Sequence, residues 1–169
     1  MDGQLSFSIA GVNDVIDYIY TTYHDERQKG DMWERVSRYY LLSDPQYSNL
    51  VGTVWLWADA PTNDLGTGEA RSRTWTLTSV AEDPENPGQF WAIQCKCYER
   101  DKTLPYKECS TLWSTAQADK RYSRYMLIST TERISKNIVD MVNKTPTLPI
   151  TPSNAKFHIM RSWADGIAL

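Results

Sequence analysis

The chain has 169 residues, 41% of them hydrophobic, with 7 Trp and 10 Tyr, enough to bury one sizeable core in a single domain spanning 1–169. Its 18 Lys and Arg against 21 Asp and Glu give a net charge of −3, which excludes a global basic field for nucleic acid but not a local basic cleft. The 3 Cys do not make a disulfide framework and suit a reducing compartment, and no apolar run approaches membrane-spanning length. The N-terminus also lacks the basic-then-apolar pattern of a secretion signal, so the expected setting is cytoplasmic, with no membrane partner.

Taken in order, Met1 to Gly11 reads as a lead-in. Asn13 or Asp14 can cap a helix carrying Val15, Ile16, Ile19, Tyr20 and Tyr23 at helical spacing. His24 to Gly30 reads as a polar break. A second helical pattern runs from about Asp31 to Leu42, its apolar sector formed by Met32, Trp33, Val36, Tyr39 and Tyr40, with Glu34 near the sector's edge. Ser43-Asp44-Pro45 ends it, because the residue before proline disfavours helical angles.

Leu50 to Trp57 is β-branched and aromatic and predicts a strand, and Asp59 to Gly68 is a loop. Trp75 to Val80 predicts a second strand, whereas Glu69 to Thr74 has no clean period. The turn-forming stretch Asp83-Pro84-Glu85-Asn86-Pro87-Gly88 then leads into Gln89 to Tyr98, a strand hairpin-paired with the one before. Alternation puts Trp91, Ile93, Cys95 and Cys97 on one face and Phe90, Ala92, Gln94, Lys96 and Tyr98 on the other. A long cation mid-strand beside an amide is costly to bury without a partner or a job, so Gln94-Cys95-Lys96 is the first place to look for chemistry.

Beyond Tyr98, a charged loop precedes a helix from about Tyr106 to Ala118. Tyr122 to Ser129 predicts a buried strand. Thr130 or Thr131 can cap a helix with Ile134, Ile138, Val139 and Val142. Thr145 to Pro152, with three prolines, reads as a linker, and Phe157-His158-Ile159-Met160 as a final strand. This order predicts an α/β sandwich with a mixed sheet.

Two stretches together carry a resemblance. Lys29-Gly30-Asp31-Met32-Trp33-Glu34 resembles the helix motif of Mrr-like restriction endonucleases, and Gln94-Cys95-Lys96 at a strand end resembles their Gln-x-Lys signature. With Tyr39 to Leu42, Trp55-Leu56-Trp57 and Trp91 to Lys96, the chain looks like the N-terminal nuclease domain of type ISP restriction–modification enzymes, within the PD-(D/E)xK superfamily. The resemblance spans about Val15 to Lys144. It implies a restriction-endonuclease-like α/β/α sandwich around a mixed central sheet, with a core at about 12–144 and a divergent tail at 145–169. It also implies DNA as the partner, alongside other restriction-system subunits or domains, and is compatible with a homodimer.

The implied reaction is phosphodiester hydrolysis with Mg2+ or Mn2+. A divalent ion polarises the phosphate and acidifies the attacking water, and magnesium wants hard oxygen ligands. By resemblance, Lys96 is the catalytic lysine, which would stabilise developing charge. Gln94 takes the ligand position two residues earlier, and Glu34 approaches from the helix. Read without the resemblance, Lys96 is a solvated strand-end lysine and Glu34 a helix carboxylate pairing with Arg38 at i+4.

The chain departs from the family pattern in the preceding strand, where such enzymes carry an aspartate. Counting back through the hairpin, that place falls on Thr78, and threonine is a poor magnesium ligand. Asp64 or Glu69 could supply a replacement carboxylate, although Asp64 also suits a plain turn. The site is therefore expected to be impaired. The alternative is a catalytically degenerate nuclease fold acting as a DNA-binding or protein-interaction module, and a third option is an unrelated α/β scaffold.

Cys95, Cys97 and Cys109 could suggest zinc with His24 or His158, but Cys-x-Cys beside Trp91 and Ile93 favours buried structural thiols. Lys120-Arg121-Tyr122-Ser123-Arg124 could touch phosphates or be a helix-end cation cluster.

Overall fold

A computed structural model describes residues 11–60 and 77–155. Within them the order is α1 (Val12–Thr22), α2 (Glu26–Ser43), β1 (Val54–Leu56), β2 (Ser79–Glu82), β3 (Phe90–Lys96), α3 (Ser110–Ala118), β4 (Tyr122–Ser129), α4 (Lys136–Lys144) and β5 (Thr147–Ile150). The five strands form one mixed sheet in the order β1-β2-β3-β4-β5. β1 and β2 run antiparallel, as do β2 and β3, while β3, β4 and β5 are mutually parallel neighbours. Antiparallel neighbours need only a tight turn, whereas the parallel pairs require crossovers, supplied by α3 and α4. No helix among the described residues is long and apolar enough to cross a membrane.

Alternation along the central strands builds two cores. Val54, Ala81, Trp91, Ile93, Cys95, Met126, Ile128 and Ile150 face one way and bury Val15, Ile16 and Ile19 of α1 with Met32, Trp33, Val36, Tyr40 and Leu41 of α2. Val80, Phe90, Ala92, Tyr125 and Leu127 face the other way, against Leu112, Trp113 and Ala116 of α3 and Ile138 of α4. Strands covered on both sides must be apolar at nearly every position, which is why β3 and β4 read as continuous hydrophobic runs. The result is the α/β/α sandwich that the resemblance implied, with the mixed sheet expected from the element order.

The hairpin turn is built on Asp83. Its carboxylate accepts hydrogen bonds from Ser123 Oγ at 2.6 Å, Asn86 Nδ2 at 2.8 Å and the Glu85 amide at 3.0 Å. Gly88 closes the turn with φ at +84°, a left-handed conformation that glycine adopts without a Cβ penalty.

Several expectations need correction. α2 begins at Glu26, so Glu26 to Gly30 continues the helix instead of breaking it. Asp25 caps it by accepting the Gln28 amide, a cap that the polar composition of the stretch concealed. α1 starts after Gly11, with Asn13 and Asp14 inside the helix, and α4 starts after Ser135, not at Thr130 or Thr131. Thr147–Ile150, read as linker, is β5. It lies at the sheet's edge, and an edge strand tolerates a proline, so Pro149 fits opposite Leu127. Phe157 to Met160 lies outside the described residues, as do residues 61–76.

Candidate active site

The residues expected to form the site are gathered around the end of β3. Gln94 is 2% exposed and faces α3, where Thr111 Oγ1 donates to its side-chain oxygen at 3.2 Å. Lys96, the last residue of β3, shares that face by alternation and is half-buried. Cys95, between them, points into the opposite core. Burial pushes its thiol up to about 12, despite hydrogen bonding with Thr78 and Ser37. Cys97 packs against the same core, 3.8 Å from the Tyr20 hydroxyl, while Cys109 is fully buried beneath α3.

Glu34 comes from α2, across the sheet, and is half-buried. Its carboxyl is pushed up to about 7, mainly by burial and further by Asp31, while the Lys96 ammonium pulls it back down. Lys96 also pulls down the Cys109 thiol, which burial raises to about 12. Its charge therefore acts on both helical layers, because it stands where β3 runs out from between them. Glu34 and Lys96 are not joined as an ion pair among the described residues. Nor is Glu34 paired with Arg38, whose Nε donates instead to the Val54 carbonyl at 2.8 Å.

Thr78 is the residue on which the family's aspartate is expected to fall. Continuing the pairing of Ser79 with Ile93 sets it beside Gln94. Its hydroxyl accepts the Cys95 amide at 2.8 Å and donates to the Ile93 carbonyl at 3.2 Å. Its proton and one of its two lone pairs are thus spent on the backbone flanking Gln94.

A divalent ion fits this set poorly. Among the described residues no group of three or more His, Cys, Asp and Glu could hold a metal ion. Glu34 is one carboxylate with raised proton affinity, the Gln94 oxygen is engaged by Thr111, and Thr78 is engaged by β3. Magnesium sheds its waters reluctantly and needs more oxygen charge than this. Asp64 and Glu69 lie outside the described residues. His24 is exposed, and His158 also lies outside them.

The basic stretch at 120–124 does not join the site. β4 begins there and runs parallel to β3, pairing Phe90 with Tyr122 at one end and Lys96 with Ser129 at the other. At about 3.3 Å per residue the two ends are roughly 20 Å apart. Arg121 is bound to Asp119 at 2.6 Å, and Arg124 to Glu85 at 2.6 Å while lying over the Trp91 ring.

Thr111 is the site residue that sequence reasoning missed. No local pattern marks it, since only the crossover through α3 brings its hydroxyl to Gln94.

A mixed five-stranded sheet with helices on both faces is the architecture of a restriction-endonuclease-like fold. A family model described as restriction endonuclease, of the Mrr catalytic type, matches residues 42–159, and the chain belongs to that family. Thr78, Gln94 and Lys96 fall inside the matched segment, and Glu34 precedes it. Among solved structures, the chain is similar to an ATP-dependent Type ISP restriction-modification enzyme, LlaBIII, bound to DNA. The likeness has a TM-score of 0.64 at 21% identity and covers 84% of this chain but 8% of that one, so it speaks for the fold. No curated protein matches.

Proposed function

We propose that this restriction endonuclease domain engages DNA at the end of β3 through Lys96 and Gln94, and that its phosphodiesterase site, to which Glu34 contributes the carboxylate, is impaired. The observation that carries this is Thr78: its hydroxyl is bonded to the Cys95 amide and the Ile93 carbonyl, where a nuclease of this type needs a carboxylate. Lys96 retains an ammonium at the strand end, suited to a phosphate oxygen by charge alone. Glu34 is the carboxylate whose charge Lys96 is seen to act on, and its raised proton affinity weakens it as a ligand for a cation. Asp64 or Glu69 would have to complete the set for efficient cleavage.

The Type ISP neighbour is a DNA-bound enzyme, which favours DNA as the substrate of this chain as well. The second function, a degenerate nuclease fold retained as a DNA-binding module, is favoured by the same engaged threonine. Plasmid cleavage with magnesium and with manganese, for the unaltered chain and Lys96→Ala, separates the two. Weak cleavage abolished by Lys96→Ala supports the impaired nuclease. Robust cleavage abolished by the same change means that a further carboxylate completes the site. Inactivity of both proteins, with DNA binding weakened by Lys96→Ala, supports the binding module.

A further inference from the structure

Gln94 is held from two sides. Thr78 bonds the carbonyl before it and the amide after it, at 3.2 and 2.8 Å, and so fixes its backbone from β2. From the other layer, Thr111 in the first turn of α3 donates to its side-chain oxygen at 3.2 Å. A carboxamide carries its oxygen and its amino group on opposite sides of one carbon. With the oxygen turned toward Thr111, the amino group faces the other way, and no hydrogen bond among the described residues engages it. Gln94 is 2% exposed, and its amino group is not among the described side-chain atoms sealed off without a partner, so it stays open to a group outside the chain.

We infer that Thr111 is a positioning residue: its hydroxyl turns the Gln94 oxygen toward α3, so that Gln94 meets DNA through its amino group, as donor to a phosphate oxygen, and not through its oxygen as a metal ligand. The inference rests on the DNA reading above and specifies how one of its residues is used. It also gives Lys96 a neighbour of the same polarity, since both would present donors to the backbone. Phosphate oxygens accept from such groups without sequence preference.

Two measurements decide it. The first needs no DNA: side-chain amide relaxation of Gln94 in 15N-labelled protein, for the unaltered chain, Thr111→Val and Thr111→Ser. A fixed amide should show an order parameter near that of rigid backbone, about 0.85, falling below about 0.6 in Thr111→Val and recovering in Thr111→Ser. An amide equally rigid in Thr111→Val, with the fold intact by circular dichroism, overturns the positioning role.

The second is duplex-DNA affinity by fluorescence anisotropy in EDTA. Thr111→Val should weaken binding by about 3- to 10-fold, on the scale of one lost hydrogen bond, and Thr111→Ser should restore it. In a Gln94→Ala background Thr111→Val should add nothing. An equal loss with alanine at 94 would mean that Thr111 acts by another route and overturn the inference. If the unaltered chain binds no DNA, the DNA reading and the phosphate contact fall together, while the relaxation data still decide the orientation of Gln94.

Discussion

The hydroxyl oxygen of Thr78 accepts the backbone amide of Cys95 at 2.8 Å, so a side chain does the work of a carbonyl just before β2 begins beside β3. Thr78→Val keeps the shape and removes the acceptor, leaving an amide in the sheet unpaired. The expected loss is about 1 to 3 kcal/mol, read as a lower urea midpoint with unchanged slope. Thr78→Asp instead offers a carboxylate that can still accept the Cys95 amide while placing negative charge beside Gln94. Manganese affinity by calorimetry should rise by about tenfold or more. An unchanged affinity would show that the ion site, if any, is not built on this strand end.

Glu34 makes stability depend on pH. Its carboxyl titrates near 7 in the folded chain against an ordinary 4.5, so between those values the folded state holds a proton that the unfolded chain has released. Stability is undiminished below the ordinary value, falls as pH rises through the window, and stays reduced above about 7. Because the group is only half-buried, the loss should be about 1 to 2 kcal/mol. Urea midpoints of Glu34→Gln should draw ahead of the unaltered chain across this window. Parallel profiles would show that Glu34 is not held in a protonated state.

Asp83 should act in the opposite sense. Burial pushes its carboxyl up, but hydrogen bonds from Ser123, Asn86 and the Glu85 amide, with Arg124 nearby, outweigh it and hold it below the usual 3.8. The stability it contributes is complete above that value and is lost as pH falls through the lower folded-state value. Asp83→Asn cannot accept at both positions and should cost about 1 to 3 kcal/mol at neutral pH. The gap between the two proteins should narrow in acid, measured by thermal unfolding. A gap that persists in acid would assign the effect to turn shape and not to charge.

Trp113 should prove to be the fastening of the edge strand. It is 1% exposed, stacks on Tyr106 at 5.6 Å, and its Nε1 donates to Thr147 Oγ1 at 3.0 Å. Trp113→Ala should cost about 3 to 5 kcal/mol. Trp113→Phe fills most of the space but loses the bond to β5. Amide exchange at Thr147–Ile150 should then accelerate more than in β3. Uniform acceleration across the sheet would show that β5 is held by its ladder alone.

The central strands were legible because a strand covered on both faces must be apolar throughout, and Tyr122–Ser129 has the bounds that its pattern predicts. The hairpin was legible because Asp83 to Gly88 carries turn chemistry at every position. The N-terminal turns of α2 and the strand β5 were not. A polar exposed helix turn has no apolar period to detect, and Pro149 is tolerated only because its strand came to lie at an edge, which no local stretch encodes.

By itself the sequence determined the alternation of β3, and with it the separation of Gln94 and Lys96 from the buried Cys95. Period-two geometry leaves no other arrangement once Trp91 and Ile93 are buried. Only the tertiary structure decided what Gln94, Thr78 and Glu34 can do. The free capacity of a hydroxyl, an amide or a carboxyl depends on which donors, acceptors and charges stand within a few ångströms. Those neighbours, Thr111, the backbone around Gln94 and Lys96, are 17, 15 and 62 residues away along the chain, from the positions 94 and 111, 78 and 93, and 34 and 96. Separations of that length are closed by packing, not by any local pattern.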